Sequence, residues 1–267
     1  MLLSVGGPPG VIPVPLVTPQ DVMLTTIALF VLVPLLGLAI GGWIDHAAIA
    51  IPAERSPWRL PACPDCAARW RGMALLPVVG ALIARRCPAC AAPIGPMRPL
   101  TEATTGILFA LALWRAASPA EFVALALFTV LLLLILRIDW QNHLIFQNTI
   151  VVGITIALAY AAILSPAPHA LLWSLIAAVG AAGLFLFLYF LALLIYRRHA
   201  LGFGDVLLAA LIGAMAGEQA FLALFVGMVL GAAGGLLLVA LRVRTMRDYI
   251  PYGAYLCAGT IIALFIR

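Results

Sequence analysis

Long apolar runs alternate with short polar connections along almost the whole chain, and this alternation predicts the elements of the fold. The longer runs reach the roughly 18 to 20 residues that a helix needs to cross a bilayer. The pattern predicts an all-α polytopic membrane protein with about eight transmembrane helices, the second and sixth of them short. The predicted segments cover residues 22 to 44, 100 to 115, 121 to 138, 148 to 165, 169 to 196, 205 to 216, 220 to 242 and 251 to 266.

One long polar stretch, residues 45 to 99, interrupts the apolar pattern after the first segment. It divides the chain into an outer N-terminal tail (1 to 21), a first transmembrane helix (22 to 44), a loop (45 to 99) and a membrane domain of about seven helices (100 to 267). The tail has no basic segment before its apolar run, so we do not expect it to be a cleaved signal peptide.

The composition agrees with a membrane protein. Of the 267 residues, 65% are hydrophobic and 9% are charged, and the mean hydropathy is +1.17. Soluble domains carry about 25% charged residues, so the apolar segments cannot be only the core of a soluble domain. The net charge of +5 then indicates orientation and contact with anionic membrane lipids, and nucleic acid is not an expected partner.

The basic residues predict the orientation of the helices. All fifteen are arginines, and seven of them lie in the loop over residues 45 to 99. The positive-inside rule therefore predicts that this loop is cytoplasmic. With eight spans, the later basic connections fall on the same side, and only Arg115 and Arg267 are exceptions. The seven loop arginines are Arg55, Arg59, Arg69, Arg71, Arg85, Arg86 and Arg98.

Four cysteines in the loop give the strongest local motif. Cys63 and Cys66 form CPDC, Cys87 and Cys90 form CPAC, and twenty residues separate the two pairs. This spacing is typical of a closed, structural four-thiolate zinc site. Disulfides are the alternative, but cytoplasmic thiols stay reduced, which favours the metal. Cys257, in the last apolar segment, is expected to pack as a small apolar residue.

Four acidic residues lie at or within the apolar boundaries, where ionisable groups are costly and often functional. Asp139 and Asp205 fall at the predicted cytoplasmic ends of two segments, where their carboxylates could converge. A helix cap is the alternative for each aspartate, and Asp205 alone would more often be read as one. Gly202 and Gly204 precede Asp205 in a turn without side chains, through which a backbone can approach. The other two acids are Asp45 and Glu102.

The histidines and the glycine motifs say less about function. His143 and His199 lie near Asp139 and Asp205 in the sequence, but the four histidines form no cluster, and boundary histidines are the more common interpretation. Neither G-x-G-x-x-G nor G-x-S-x-G occurs, so neither a dinucleotide fold nor a serine hydrolase is indicated. The run GMVLGAAGG predicts close helix packing.

The order of the motifs resembles that of the bacterial prepilin peptidases, membrane aspartic endopeptidases that process type IV pilins and type II secretion pseudopilins. The similarity runs from about Gly37 to Tyr255. GGWIDHAAIAIP is similar to the family's G-S-F-L-N-V-V-I-x-R-L-P, with Asp45 where asparagine is usual. PLTEATTGILFA, which includes Glu102, is similar to P-L-V-E-L-x-T, and GFGD and IPYGAY follow in the same order as in the family.

The resemblance implies that Asp139 and Asp205 are the catalytic pair. Two carboxylates in one site do not easily ionise together, so one would deprotonate a water molecule while its protonated partner polarises the scissile carbonyl. The pair would titrate as a unit, and the sequence does not assign the acid and the base. This chain departs from the family at Phe146 and Gln147, where the family usually reads L-P-D or I-P-N, and at Leu207, where the family's lysine follows GxGD.

The resemblance also implies the partners and the location. The substrate would be a prepilin or pseudopilin, cleaved at the cytoplasmic face of the bacterial inner membrane. Many members with a four-cysteine loop also N-methylate the new terminus from S-adenosylmethionine, and Glu102 and Asp45 are the first candidates to contact that cofactor or the new amine. Two alternatives stay open: a catalytically impaired scaffold of a pilus or secretion assembly, and a transporter that uses the intramembrane acids as ion sites.

Overall fold

The structure is a computed structural model, and its description covers most of the chain. The described residues are 18 to 58, 62, 63, 66, 68, 69, 77, 78, 80, 86 to 196, 202 to 242 and 251 to 266. Several residues named in the sequence analysis lie outside them, among them Arg59, Arg71, Arg85, His199 and Arg267.

Eight α-helices make up most of the described chain, and each corresponds to one predicted segment. A π-helical turn, Tyr160–Leu164, extends the fourth helix, and a 3-10 turn, Gly217–Gln219, joins the sixth to the seventh. The helices are α1 (Pro19–Ala50), α2 (Met97–Arg115), α3 (Pro119–Asn142), α4 (Gln147–Ala159), α5 (Ala170–Tyr196), α6 (Phe203–Ala216), α7 (Ala220–Ala240) and α8 (Tyr252–Phe265).

Local sequence signals start two of the helices. Thr18 accepts a hydrogen bond from the backbone N–H of Asp21, whose carboxylate accepts one in return from the backbone of Thr18, so α1 begins with a capping box. Ser118 accepts a hydrogen bond from the N–H of Glu121 at 3.1 Å and caps α3. Proline follows each cap, where its missing N–H has no cost.

The first helix is longer than the sequence predicted. It runs from Pro19 to Ala50 instead of covering residues 22 to 44, so Asp45 belongs to the helix and not to the following loop. The extension is stabilised because Ile44, Ala47 and Ala48 are fully buried against the rest of the bundle. The loop therefore begins after Ala50, and not at residue 45 as the sequence predicted.

Five helical stretches of the described chain are long and apolar enough to cross a membrane, which makes this a multi-pass membrane protein. The last of the five combines α6 and α7. Helix α8 is apolar but has only 14 residues, and α2 is less apolar because Arg98, Thr101, Glu102 and Thr105 lie on it. The five stretches are Pro19–Ala50, Pro119–Asn142, Gln147–Leu164, Ala170–Ile195 and Phe203–Ala240.

Glycines bring three pairs of helices into close contact. A Cβ atom at Gly41 would lie 2.6 Å from the Cα of Glu102, so α1 touches the backbone of α2. Gly213 of α6 meets the backbone of α5 in the same way, and Gly227 of α7 meets Gly259 of α8. Small residues allow this approach, and in lipid the close packing drives helix association. The close packing predicted for GMVLGAAGG is confirmed.

The buried centre of the bundle lies around α3, α6 and α8. Helix α3 packs against α1, α2 and α8, while α6 packs against α4, α5 and α7. Leu132 on α3, Leu208 on α6 and Leu256 on α8 are all fully buried in one continuous apolar cluster. Packing in this cluster holds the three helices together. The last turn of α3 carries Asp139, and the first turn of α6 carries Asp205.

Candidate active site and metal centre

Asp139 lies in the last turn of α3 and is 5% exposed. The helix ends just after it, because His143 adopts a left-handed backbone with φ of 53° and its N–H donates to the carbonyl of Asp139. The Oδ2 atom of Asp139 accepts a hydrogen bond of 2.7 Å from the backbone N–H of Ala254. A carboxylate of α3 is therefore held by the N-terminus of α8, where unpaired N–H groups favour an anion.

Asp205 lies in the first turn of α6 and is 9% exposed. Its Oδ2 atom accepts a hydrogen bond of 3.1 Å from the N–H of Gly202, which closes the turn at the start of the helix. A Cβ atom at Gly204 would lie 3.0 Å from the Cβ of Ile145, so this glycine lets the turn approach the segment after α3. Asp205 is therefore not the N-cap residue, which is Gly202, but lies at the third helical position and closes the capping turn with its side chain. This contact is compatible with a second role.

The two aspartates, 66 residues apart in the sequence, come together in the bundle. Ile145 lies between them, because it contacts Gly204 beside Asp205 and lies 3.0 Å from the position that a Cβ atom would take at Gly253, beside Asp139. The carboxylates are within electrostatic range of each other. Both are also within electrostatic range of the buried thiol of Cys257. Such a pair of buried carboxylates can hold one proton between them and act on a water molecule.

Further side chains surround this pair. The ring of Tyr252, at the start of α8, packs against that of Phe185 with 6.4 Å between the centroids. His143 lies within electrostatic range of Asp139. Two of the positions at which the chain departs from the family's motifs are apolar: Leu207 and Phe146 pack against the main apolar cluster, and Phe146 directly precedes α4.

The four loop cysteines form one cluster. Their sulfur atoms all lie within 4.8 Å of one another, with 3.7 Å between those of Cys63 and Cys90 and 3.8 Å between those of Cys66 and Cys87. All four are free thiols, so the disulfide alternative does not hold in this structure. Zinc–sulfur bonds of about 2.3 Å in a tetrahedron separate the sulfurs by about 3.8 Å, so the cluster fits a metal ion.

Two similar backbone turns present these thiols. The N–H of Cys63 donates to the carbonyl of Ala68 at 2.9 Å, and the N–H of Cys87 donates to that of Ala92 at 2.8 Å. Backbone N–H groups of Ala89, and secondly of Cys90, lower the pKa of the Cys87 thiol to about 7. The second turn thus favours the thiolate of Cys87 that a metal ligand requires. Against the lowering by the backbone N–H of Ala92, the neighbouring thiols, that of Cys66 first, raise the pKa of Cys90 to about 12.

Glu102 and Asp45 both already have protein partners. Glu102 is 1% exposed, accepts a hydrogen bond from the N–H of Val78 at 2.5 Å and forms a 2.9 Å ion pair with Arg98. It therefore ties the loop to α2. Asp45 forms an ion pair with Arg137 of α3. Their predicted contact with a cofactor stays a prediction, and it requires that these partners be exchanged.

Sequence reasoning missed two partners of the site. The N–H of Ala254 was not recognised as a donor to Asp139, and the only signal was the motif IPYGAY, which carried no role. Arg137 entered the sequence analysis only as one of the basic residues of the later connections, although it lies two residues before Asp139 and pairs with Asp45. A second ionisable residue beside an intramembrane acid would have been the signal.

Buried carboxylates at two helix ends and a four-cysteine loop are thus the two candidate sites of this helical membrane protein. Two family profiles match the chain: the bacterial peptidase A24 N-terminal domain over residues 35 to 116, and the type IV leader peptidase family over residues 125 to 236. The chain belongs to the type IV leader peptidase family.

Several curated relatives, all named prepilin leader peptidase/N-methyltransferase, are similar over most of their length. The Pseudomonas putida protein is 33% identical over 82% of this chain and 78% of its own, and that of Klebsiella pneumoniae is 33% identical over 69% and 83%. The Bacillus subtilis protein is 29% identical over 85% and 90%. No solved structure matches the chain.

Proposed function

We propose that this protein is a membrane aspartic endopeptidase that removes the leader peptide of type IV prepilins or type II secretion pseudopilins. The observation that carries the proposal is the meeting of Asp139 and Asp205, which come from two different helices and lie buried within electrostatic range of each other. Membership of the leader peptidase family gives the substrate class. The names of the relatives agree with it.

In the proposed reaction one carboxylate accepts a proton from a water molecule, and the water attacks the scissile carbonyl. The protonated partner donates a hydrogen bond to the carbonyl oxygen and stabilises the charge that develops there. The N–H of Ala254 holds one oxygen of Asp139 at 2.7 Å, and in the proposed reaction the carboxylate acts on water or substrate from this fixed position. A Cβ atom at Gly202 would lie 3.4 Å from the Oδ2 of Asp205, so this glycine leaves room beside the carboxylate, while Gly204 accommodates the side chain of Ile145.

The proposed location is the bacterial inner membrane, with the aspartates at the cytoplasmic face. The arginine-rich loop supports this orientation through the positive-inside rule. A prepilin presents a short basic leader in the cytoplasm and an apolar helix in the membrane, so its scissile bond would meet the pair at that boundary.

Zinc is the metal that we propose for Cys63, Cys66, Cys87 and Cys90, because the S···S distances fit a tetrahedron of thiolates. Four thiolates leave no open position for water, so the metal would stabilise the loop and take no part in proteolysis. We also propose N-methylation from S-adenosylmethionine, which the relatives' name supports. Glu102 and Asp45 are the proposed contacts for that cofactor or the new amine.

Incubation of the purified protein with a prepilin peptide, with and without S-adenosylmethionine, tests the proposal. We expect leader loss in both samples and methyl incorporation only with the cofactor. Leader loss should be absent in Asp139→Asn protein that remains monodisperse. A wild-type protein that binds prepilin without cleaving it would support the scaffold alternative instead.

A further inference from the structure

An ion pair inside the bundle connects α1 to the helix that carries Asp139. The Nη2 atom of Arg137 donates to the Oδ1 atom of Asp45, and the two side chains are only 5% and 12% exposed. Neither residue belongs to the aspartate pair or to the cysteine cluster. A bundle held mainly by apolar packing thus keeps two charges at this contact.

Stability alone does not account for the pair. Burying two charges carries a large desolvation cost, and well-packed apolar side chains of similar volume are often as stable or more stable. Loss of one partner is different, because it leaves a buried charge without compensation. The pair is therefore costly to keep and damaging to break, which is typical of contacts retained for the specificity of one arrangement.

The place of Arg137 on α3 indicates what that arrangement is. Successive residues of an α-helix are rotated by about 100°, so residues two apart point in nearly opposite directions. Arg137 accordingly faces α1, while Asp139 faces the N-terminus of α8 and accepts the N–H of Ala254. The two contacts hold the last turns of α3 from opposite sides, and together they fix its rotation.

We propose that Asp45 and Arg137 form a positioning pair that sets the rotation of α3 and thereby places the Asp139 carboxylate against Ala254 and Asp205. This rests on the proposed peptidase function. In the cleavage step the pair acts through Asp139 and touches neither the scissile bond nor the attacking water.

The ion pair also explains why position 45 of this chain holds an aspartate. The family that the sequence resembles usually has asparagine here, but asparagine would leave the charge of Arg137 uncompensated. The Nε and Nη1 atoms of Arg137 are buried without a hydrogen-bond partner in the described part of the chain, so no second acceptor takes over. Substitution by the family's usual residue should therefore be harmful.

The test compares three variants: Asp45→Asn, the polar pair Asp45→Asn with Arg137→Gln, and the apolar pair Asp45→Leu with Arg137→Met. Cleavage of a prepilin peptide gives kcat and KM well below the melting temperature of each. We expect kcat of Asp45→Asn to fall about 10- to 100-fold, because small displacements of a reacting group have effects of that size. KM should stay within about threefold.

The double variants separate positioning from stability. The polar pair can keep a hydrogen bond between α1 and α3, so we expect it to recover most of kcat. The apolar pair should melt at or above the wild-type temperature and still show the low kcat. Glu121→Gln is the matched control, because it removes the Arg115 ion pair at the opposite end of the same helix and should leave kcat unchanged.

Wild-type kcat in Asp45→Asn or in the apolar pair would overturn the proposal, and so would a folded polar pair that recovers nothing. If the wild-type protein itself does not cleave prepilin, the peptidase function fails, and the positioning role fails with it. Normal cleavage in wild type and all variants refutes only the positioning role.

Discussion

The cysteine cluster and the aspartate pair are assembled in opposite ways. The four thiols come from one loop of fewer than thirty residues, and short backbone turns present them. The aspartates come from the ends of two helices, and they meet only because α3, α6 and α8 pack together. One site is therefore a local structure, and the other is a property of the whole bundle. Changes in the loop and changes in the bundle should have separable effects.

The largest effect is expected at the aspartates themselves. Asp139→Asn and Asp205→Asn should each reduce cleavage by about 10³-fold or more, and the double variant should be little worse, because groups that act as a unit are not additive. Rates of leader loss measured by gel shift test this. Glu218→Gln, an exposed acid in the turn between α6 and α7, is the control and should cleave normally. Wild-type rates in either aspartate variant would refute the pair.

A change in packing beside the pair should impair the site without replacing either carboxylate. A Cβ atom at Gly253 would lie 3.0 Å from the Oδ2 of Asp139. Gly253→Ala should displace that carboxylate and lower kcat by about 10- to 100-fold. Gly183→Ala on α5, whose added Cβ meets nothing within 4 Å, should keep the wild-type rate. Equal rates in the two variants would show that the site tolerates such shifts.

Variants in the cysteine loop should reduce metal binding and methylation more than cleavage. Cys63→Ser with Cys66→Ser should remove a metal content of about one zinc per chain and lower the stability of the loop. Disrupting Cys87 and Cys90 should impair methylation more than cleavage. Metal analysis and a paired assay of leader loss and methyl incorporation on one sample measure this. Metal content unchanged in the first variant, or cleavage abolished by a chelator in monodisperse protein, would contradict the division between the two sites.

The smallest effect is expected at Leu207. This residue packs against the apolar cluster, where the resembled family has a lysine after GxGD. If the aspartate pair is fully active without that cation, Leu207→Lys should change kcat/KM by less than about threefold, or less than about 0.7 kcal/mol. Leu207→Met is the control for a change of shape without charge. A large gain of cleavage in the lysine variant would show that the wild-type site is impaired.

Sequence reasoning predicted the helices well because their signal is local. Runs of apolar residues and their polar limits mark each helix, and the spacing of Cys63, Cys66, Cys87 and Cys90 marks the cluster. The end of α1 was missed by six residues, since burial of Ala47 and Ala48 depends on other helices. For the same reason the donation from Ala254 to Asp139 and the pair of Asp45 with Arg137 needed three dimensions.

The shortness of α6 bears on how water reaches the reaction. Fourteen residues of α-helix rise only about 21 Å, whereas the hydrocarbon layer is about 30 Å thick. Glu218, an exposed charge, lies just beyond the far end of α6, where a membrane surface is its least costly position. With Glu218 at such a surface, the first turn and Asp205 would lie several ångströms below the opposite one. Hydrolysis at that depth would require a hydrated funnel or a locally thinned bilayer, so we expect the rate of proteolysis to depend on lipid thickness.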